Sequence, residues 1–447
     1  SIDAMPSEVV ERARAGVIDT VGVILAGVDE PVTRIVAGLV AEDGGAPVAT
    51  QLGTILRTTP ESAALLNGVS GHALDYDDVS VSLTGHPSVV VLPAALAAAE
   101  LVGASGAALL EGYVAGVEVT TKLGIAIGPA HYRAGWHATS TLGTVGAAAA
   151  AGRVLGLDPE RVAHALAIAV SLASGSRQNF GTMTKPFHAG HAARCGLSAA
   201  RLAARGMTAD TTAIEAPLGL FALLSFGEGR PETIGESLGC PYDLAAAGLS
   251  VKKYPCCFAT HRAADAVLDL RAEHGIDPAL VEAVAVTVPV GGVSPLIHDR
   301  PRTGLEGKFS MQYVLAAALL DGRVGLDAFD DGAVRRPEAQ ALVPRVTVQE
   351  DPSIVTGANP IEEGHVTVAV RLRDGASLTR RVTHPRGAPA EPLRPEELAA
   401  KFLDCAGAAL DPDRAERALG RLRTLEREPD VRALVAALTP AAVVAAG

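Results

Sequence analysis

The eight residues SVKKYPCC, Ser250 to Cys257, mark where the period of the apolar residues changes. Before them the period is helical. After a Pro-Ser start at Pro6, the residues Val10, Val17, Val21, Ile24 and Leu25 recur at helical spacing and stop near Gly27. The same reading predicts helices over residues 59–74, 90–101, 106–124, 139–155, 158–174 and 188–205, several opening with a capping residue, as in LDPERVAHAL (157–166). The first half is therefore expected to be all helix. After SVKKYPCC the period becomes two: VEAVAVTVPV (281–290) alternates Val284, Val286, Val288 and Val290. Further on, HVTVAVRLRDGASLTRRVTH (365–384) reads as two strands joined at Asp374-Gly375, a strong hairpin signal. KFSMQYVLAAALLDG (308–322) between them reads as helix, and RPEELAAKFLDCAGAAL onward returns to helix. The expected fold is mainly α, with an all-helical domain from residues 1–256 and 399–447 and an α+β domain over 257–398. Two segments rich in Pro and Gly, DPSIVTGANPIEEG (351–364) and HPRGAPAEPLRPEE (384–397), are expected to be loops.

Composition narrows the function. The 447 residues suffice for two domains, and the core must be built of small residues, because 48% of the chain is hydrophobic and only 3% aromatic. A net charge of −12 argues against a nucleic-acid binder, which needs basic surface to displace counterions from phosphate. Five cysteines, Cys195, Cys240, Cys256, Cys257 and Cys405, are odd in number and never spaced C-x-x-C, so they are expected to be reduced thiols of a cytoplasmic protein. The stretches 79–99 and 134–152 lack charged residues, but their prolines, histidines, Ala and Gly fit buried soluble segments better than a bilayer. SIDAMPSEVV shows no basic region followed by an apolar one, so no signal peptide is expected.

No G-x-G-x-x-G follows a strand and no P-loop is present, so no nucleotide cofactor is expected. HAGH (188–191) sets His188 and His191 three apart, but with no acid beside them they read as helix-start histidines that cap or pack. Cys256 and Cys257 read as buried small hydrophobes. HALDYDDVSVSLTGHP (72–87) holds Asp75, Asp77 and Asp78 between two histidines; it could bind Mg²⁺ or Mn²⁺, but the apolar residues and prolines that follow favour a buried turn, and no metal is expected.

Four polar clusters remain inside apolar context: Asp75 to His86, GWHATST with His137, RQNFGTMTKPFHAGH with Lys185, and VKKYPCCFATH with Lys252, Lys253 and His261. Together they hold what proton abstraction beside a carboxylate needs: a base, an acid, and a cation for the charge pushed onto the carboxylate oxygens. Histidine suits the first two near neutral pH, and lysine in an apolar setting suits the third. An acidic protein would then bind an anionic di- or tricarboxylate locally, through Lys185 and Lys252.

The clusters, in this order, resemble the MmgE/PrpD family, which includes 2-methylcitrate dehydratase, cis-aconitate decarboxylase and iminodisuccinate epimerase. The matching stretches are NGVSGHALDYDD with GHPSVVVLPAALA, GWHATSTLGTVGAAAAAGRVLGLD, FGTMTKPFHAGHAARCGLSAARLAARG, VKKYPCC, GKFSMQYVLAAALLDG and PRGAPAEPLRPEELAAKF. The resemblance implies a large helical domain, a smaller α+β domain before the last helices, a homodimer, and an active site without cofactor in a cleft between domains. Its active-site positions fall on Asp75, His86, His137, Lys185 and Lys252, with Asp78, Gln178, Lys253 and Tyr254 expected as substrate contacts. The loop VSVSLTG (79–85) departs from relatives that carry Thr and another His there, so it is expected to shape substrate choice. HALDYDDVS with GHPS and the compact length lean toward iminodisuccinate epimerisation. Dehydration of 2-methylcitrate and decarboxylation of cis-aconitate share the carbanion-like intermediate, and a non-catalytic polycarboxylate-binding protein is the alternative of another class.

Overall fold

The computed structural model describes residues 1–357, 360–361, 363 and 364–440. It consists of two compact units, Ser1–Val251 with Arg394–Gly447, and Lys252–Leu393, dividing a few residues before the boundaries expected from sequence.

The first unit is helical: α1 (Ser7–Ala26), α2 (Pro31–Asp43), α3 (Pro60–Ala73), α4 (Ser88–Val102), α5 (Gly106–Ile127), α6 (Pro129–Arg133), α7 (Ala138–Val154), α8 (Pro159–Leu172), α9 (Thr184–Ala204), α10 (Leu220–Leu224) and α11 (Glu232–Ser237). The expectation of helix alone is corrected by a small antiparallel ribbon, β1 (Ala49–Thr50) and β2 (Arg57–Thr58), too short to show a period of two. A second correction bears on the site. Helix α9 starts at Thr184, not His188, because Pro186 sits in its first turn, where the missing N–H costs no helical hydrogen bond. Lys185 is thus a helical residue.

The core of this unit follows from its small residues. Helix α7 is buried at every position from Ala138 to Val154 except Arg153, and the helices around it approach closely. A Cβ at Gly190 of α9 would stand 2.2 Å from the Leu65 carbonyl oxygen of α3, and one at Gly68 would stand 2.6 Å from Gly190 Cα. At the α5–α7 crossing a Cβ on Gly146 would meet the Gly116 carbonyl oxygen at 2.7 Å. Glycine here lets backbones touch, and the dense packing fixes the helices that carry the polar clusters. The chain's last helices, α17 (Pro395–Ala406), α18 (Pro412–Leu422) and α19 (Val431–Ala437), complete this unit. Lys401 of α17 pairs with buried Asp19 of α1 at 2.6 Å and donates to the Tyr76 carbonyl at 2.9 Å.

The second unit carries a four-stranded sheet in the order β4-β3-β5-β6. The strands β5 (Val366–Leu372) and β6 (Ser377–Val382) form the hairpin read from Asp374-Gly375, and β3 (Val281–Pro289) pairs antiparallel with β5. Val290 lies past the end of β3 and is exposed. Strand β4 (Val346–Asp351), unread in the sequence, runs parallel to β3. Helices α12 (His261–His274), α13 (Gly304–Gly307), α14 (Met311–Asp321), α15 (Asp331–Arg335) and α16 (Pro337–Leu342) accompany the sheet. Val284, Val286 and Val288 are buried with Val314, Leu315 and Ala318 of α14. Of the segment expected as a loop over 351–364, Ala358, Asn359 and Glu362 lie outside the described residues, and of HPRGAPAEPLRPEE the last three residues belong to α17.

No described helix is long and apolar enough to cross a membrane, and the five cysteines are unbridged.

Candidate active site

Four elements of the first unit bring the polar residues together. Helix α3 ends at Ala73, and Asp75 follows with φ of 52°, the left-handed conformation that commonly ends a helix but usually falls to Gly or Asn. Its amide donates to the His72 carbonyl at 3.2 Å, and its carboxylate is ion-paired with the Lys185 ammonium from the first turn of α9. Both side chains are buried, and together the ion pair is charge-neutral.

The loop 79–85 closes on itself: Ser80 and Gly85 pair, with Ser80 N donating to Gly85 O at 2.9 Å, and Thr84 takes φ of 54°. A Cβ at Gly85 would come within 2.8 Å of Thr139 Oγ1 and 3.0 Å of Thr139 N. Only glycine lets the loop reach the start of α7, where the His86 amide donates to Thr139 Oγ1 at 3.0 Å. His137 is the N-cap residue of that helix, its backbone held by the Gly175 carbonyl at 3.0 Å.

Asp77 organises the centre. Its carboxylate lies 2.9 Å from His72 Nδ1 and 3.1 Å from His86 Nδ1, and His86 Nδ1 is also 2.9 Å from the Asp78 carbonyl oxygen. A carboxylate and a carbonyl only accept, so both imidazoles carry a hydrogen on Nδ1. Burial would push the Asp77 carboxyl up, but the two imidazoles hold it well below the usual carboxylate range. Burial lowers His72 to about 4 despite Asp77, with Lys185 adding to the effect, so His72 is neutral near pH 7. Its Nε2 is buried and has no hydrogen-bond partner among the described residues. The His72 ring lies 4.6 Å from that of His86 and 6.1 Å from that of His137. His137 is likewise kept neutral, by burial first and then by the Lys185 charge. Phe180 forms an apolar wall, 4.9 Å from the His137 ring and 5.4 Å from Lys185 Nζ.

Four of the sequence-predicted residues, Asp75, His86, His137 and Lys185, therefore gather in one unit. Asp78 lies behind them: its carboxyl is fully buried, bonded to Ser88, which meets Tyr113 Oη at 2.6 Å, and burial pushes it up to about 8. Gln178 lies on the exposed segment before α9. Lys252, Lys253 and Tyr254 belong to the second unit; Lys252 is buried, Lys253 partly so, and the Tyr254 hydroxyl donates to Asp265 at 2.5 Å. The sequence reading weighed His72 and Asp77 as metal ligands and His188 as a capping or packing histidine, and left all three out of the site. HALDYDD held the signal for the first two, since a histidine five residues before an aspartate can fold back on it across a helix end. The HAGH histidines diverge: His188 Nδ1 faces His137 Nδ1 at 3.1 Å, whereas His191 Nε2 lies 3.4 Å from Cys195 Sγ.

His72, Asp75, Asp77 and His86 each offer a donor atom within 4.8 Å of the others, the spacing a divalent ion requires. The carboxylates of this set are already matched, however: the Lys185 ammonium meets Asp75 and imidazole N–H groups meet Asp77, while His72 Nε2 stays unmatched among the described residues. The set suits proton transfer.

The helical unit thus holds two imidazoles on one buried carboxylate beside a lysine–aspartate pair, groups of the kind that acid–base chemistry uses. The MmgE/PrpD N-terminal domain matches residues 1–232 and the C-terminal domain residues 254–427, and the chain belongs to the MmgE/PrpD family. It is 30% identical to human cis-aconitate decarboxylase over 445 residues, covering 97% of this chain and 91% of the human protein. It is 31% identical to the mouse cis-aconitate decarboxylase over 397 residues, 85% of this chain and 78% of the mouse protein, and 28% identical to that of Aspergillus terreus over 461 residues, 97% and 92%.

Proposed function

We propose that the protein is a lyase acting on a small polycarboxylate, with decarboxylation of cis-aconitate as its reaction. The observation that carries this reading is the Asp77 carboxylate holding His72 and His86 in their Nδ1–H form beside the buried Lys185–Asp75 pair. The names of the relatives supply the substrate and move the preference away from iminodisuccinate, which none of them supports.

Loss of CO₂ from the methylene-carboxylate arm of cis-aconitate leaves an electron pair that spreads through the C=C bond onto the neighbouring carboxylate. Protonation of the former vinylic carbon moves the double bond to the terminal CH₂. One proton is consumed and one CO₂ leaves, giving a five-carbon unsaturated dicarboxylate. Lys185 meets the charge as it grows on the carboxylate oxygens, which stabilises the transition state more than the ground state. His137 is the proton donor, and Lys252 and Lys253 are proposed as further carboxylate-binding cations. The neutral His72, with hydrogen on Nδ1 and a lone pair on Nε2, favours a second reading, α-proton abstraction, the first step of dehydrating 2-methylcitrate or epimerising iminodisuccinate.

Proton spectra of the enzyme with cis-aconitate, 2-methylcitrate, citrate and iminodisuccinate in D₂O separate the readings. Decarboxylation predicts CO₂ and a terminal alkene from cis-aconitate. New alkene signals from 2-methylcitrate, or α-deuteration with racemisation of iminodisuccinate, would move the assignment to the second reading. Binding of these acids without exchange or turnover would leave a polycarboxylate-binding protein.

A further inference from the structure

We infer that His188 is a positioning residue that sets the tautomer of His137 and thereby makes His137 a proton donor. The two rings face each other through Nδ1 atoms 3.1 Å apart, with an angle of 54° between ring planes. Two unprotonated nitrogens repel at that distance, and two protonated ones clash, so one proton lies between them. Whichever ring holds it decides what His137 offers at Nε2. If His137 holds it, Nε2 is a lone pair and the residue is a base; if His188 holds it, Nε2 carries hydrogen and the residue is an acid.

The proposed reaction selects the second state, because the new C–H bond needs a hydrogen at His137 Nε2. Burial and the Lys185 charge keep His137 from holding a proton on both nitrogens. His188 is held in place independently: it lies on α9, and its carbonyl accepts from Ser140 Oγ of α7 at 3.3 Å. No hydrogen bond among the described residues uses His137 Nε2, so its hydrogen is available to a substrate carbon. In the same assembly Asp77 draws hydrogen to Nδ1 in His72 and His86. The end of α3 thus presents a base in His72, and the start of α7 presents an acid in His137.

The inference rests on the acid–base reading of the site, and its test separates the two. Asparagine and aspartate place an atom where histidine has Nδ1 and are nearly equal in size, but only asparagine donates. His188→Asn should keep hydrogen on His137 Nε2 and retain kcat within about fivefold. His188→Asp should draw the hydrogen to His137 Nδ1 and lower kcat on the order of 10²–10³-fold, the scale of a lost general acid, with KM little changed. Imidazole ¹⁵N spectra of the ligand-free protein report the tautomer directly, whatever the substrate. His137 with hydrogen on Nδ1 in the unsubstituted enzyme, an unchanged tautomer in His188→Asp, or equal loss of kcat in both variants would overturn the inference. The expected spectra with no turnover of any polycarboxylate would instead overturn the proposed reaction and leave the tautomer assignment standing.

Discussion

At Asp77 one carboxylate orders two imidazoles, and that sets the sharpest expectation for a single side chain. Asp77→Asn keeps the shape but removes the negative charge that both Nδ1–H groups face and puts an amide NH₂ among them. Turnover should fall on the order of 10²–10⁴-fold in steady-state assays while far-ultraviolet circular dichroism stays unchanged. Lys185→Met leaves the Asp75 carboxylate buried without its ammonium, at a cost of about 3–5 kcal/mol in urea unfolding. Adding Asp75→Asn should recover most of that stability and none of the activity. Recovery of activity in the double variant would remove Lys185 from the chemistry. At this scale the sequence was legible where residue type alone implies chemistry: lysine in apolar context, histidine beside aspartate. It was not legible for His188, because only the fold reveals that the His137 and His188 nitrogens meet.

Elements place these atoms through close helix contacts. The α3–α9 crossing ties the helix that ends at Asp75 to the one that begins with Lys185, and Gly68 and Gly190 form its tightest point. Gly190→Ala should overpack this crossing, cost about 1–3 kcal/mol in denaturant midpoint, and reduce kcat by displacing Lys185. Full stability in that variant would mean the crossing has slack that the backbone distances deny. Helix existence was readable from apolar period and capping residues. The start of α9 was not, because Pro186 reads as a helix breaker until one sees that it occupies the first turn. Strand β4 escaped for another reason: VTVQED carries only two valines in alternation, and its partner β3 lies far away in sequence. The hairpin β5–β6 was legible because its turn is local.

Across the whole molecule, the neutral histidines of the first unit bind fewer protons folded than unfolded. His72, His131, His137, His188 and His191 are all lowered, burial being the first cause in each. Their stabilisation is complete above about pH 6.5 and is lost as pH falls; for His72 the loss runs down to about pH 4, at about 1.4 kcal/mol per pH unit. Asp78 acts in the opposite sense: raised to about 8, it makes the fold less stable as pH climbs from about 4 to 8, and Asp78→Asn should flatten that limb. The single tryptophan, Trp136, lies in the first unit, so its fluorescence in urea titrations from pH 4 to 9 follows both effects. The two-unit, mainly helical architecture was readable from the change of period, whereas its internal hydrogen-bond network depends on contacts distant in sequence. We propose that this network performs proton chemistry on a polycarboxylate. The most direct measurement is the reaction of cis-aconitate with the enzyme in D₂O, counting CO₂ released against deuterium bound to carbon in the product. One solvent deuteron per CO₂ is expected in the unsubstituted enzyme, with both falling on the order of 10²–10⁴-fold in rate in Asp77→Asn; CO₂ release at an undiminished rate in Asp77→Asn, or no CO₂ from the unsubstituted enzyme, would overturn the proposed chemistry.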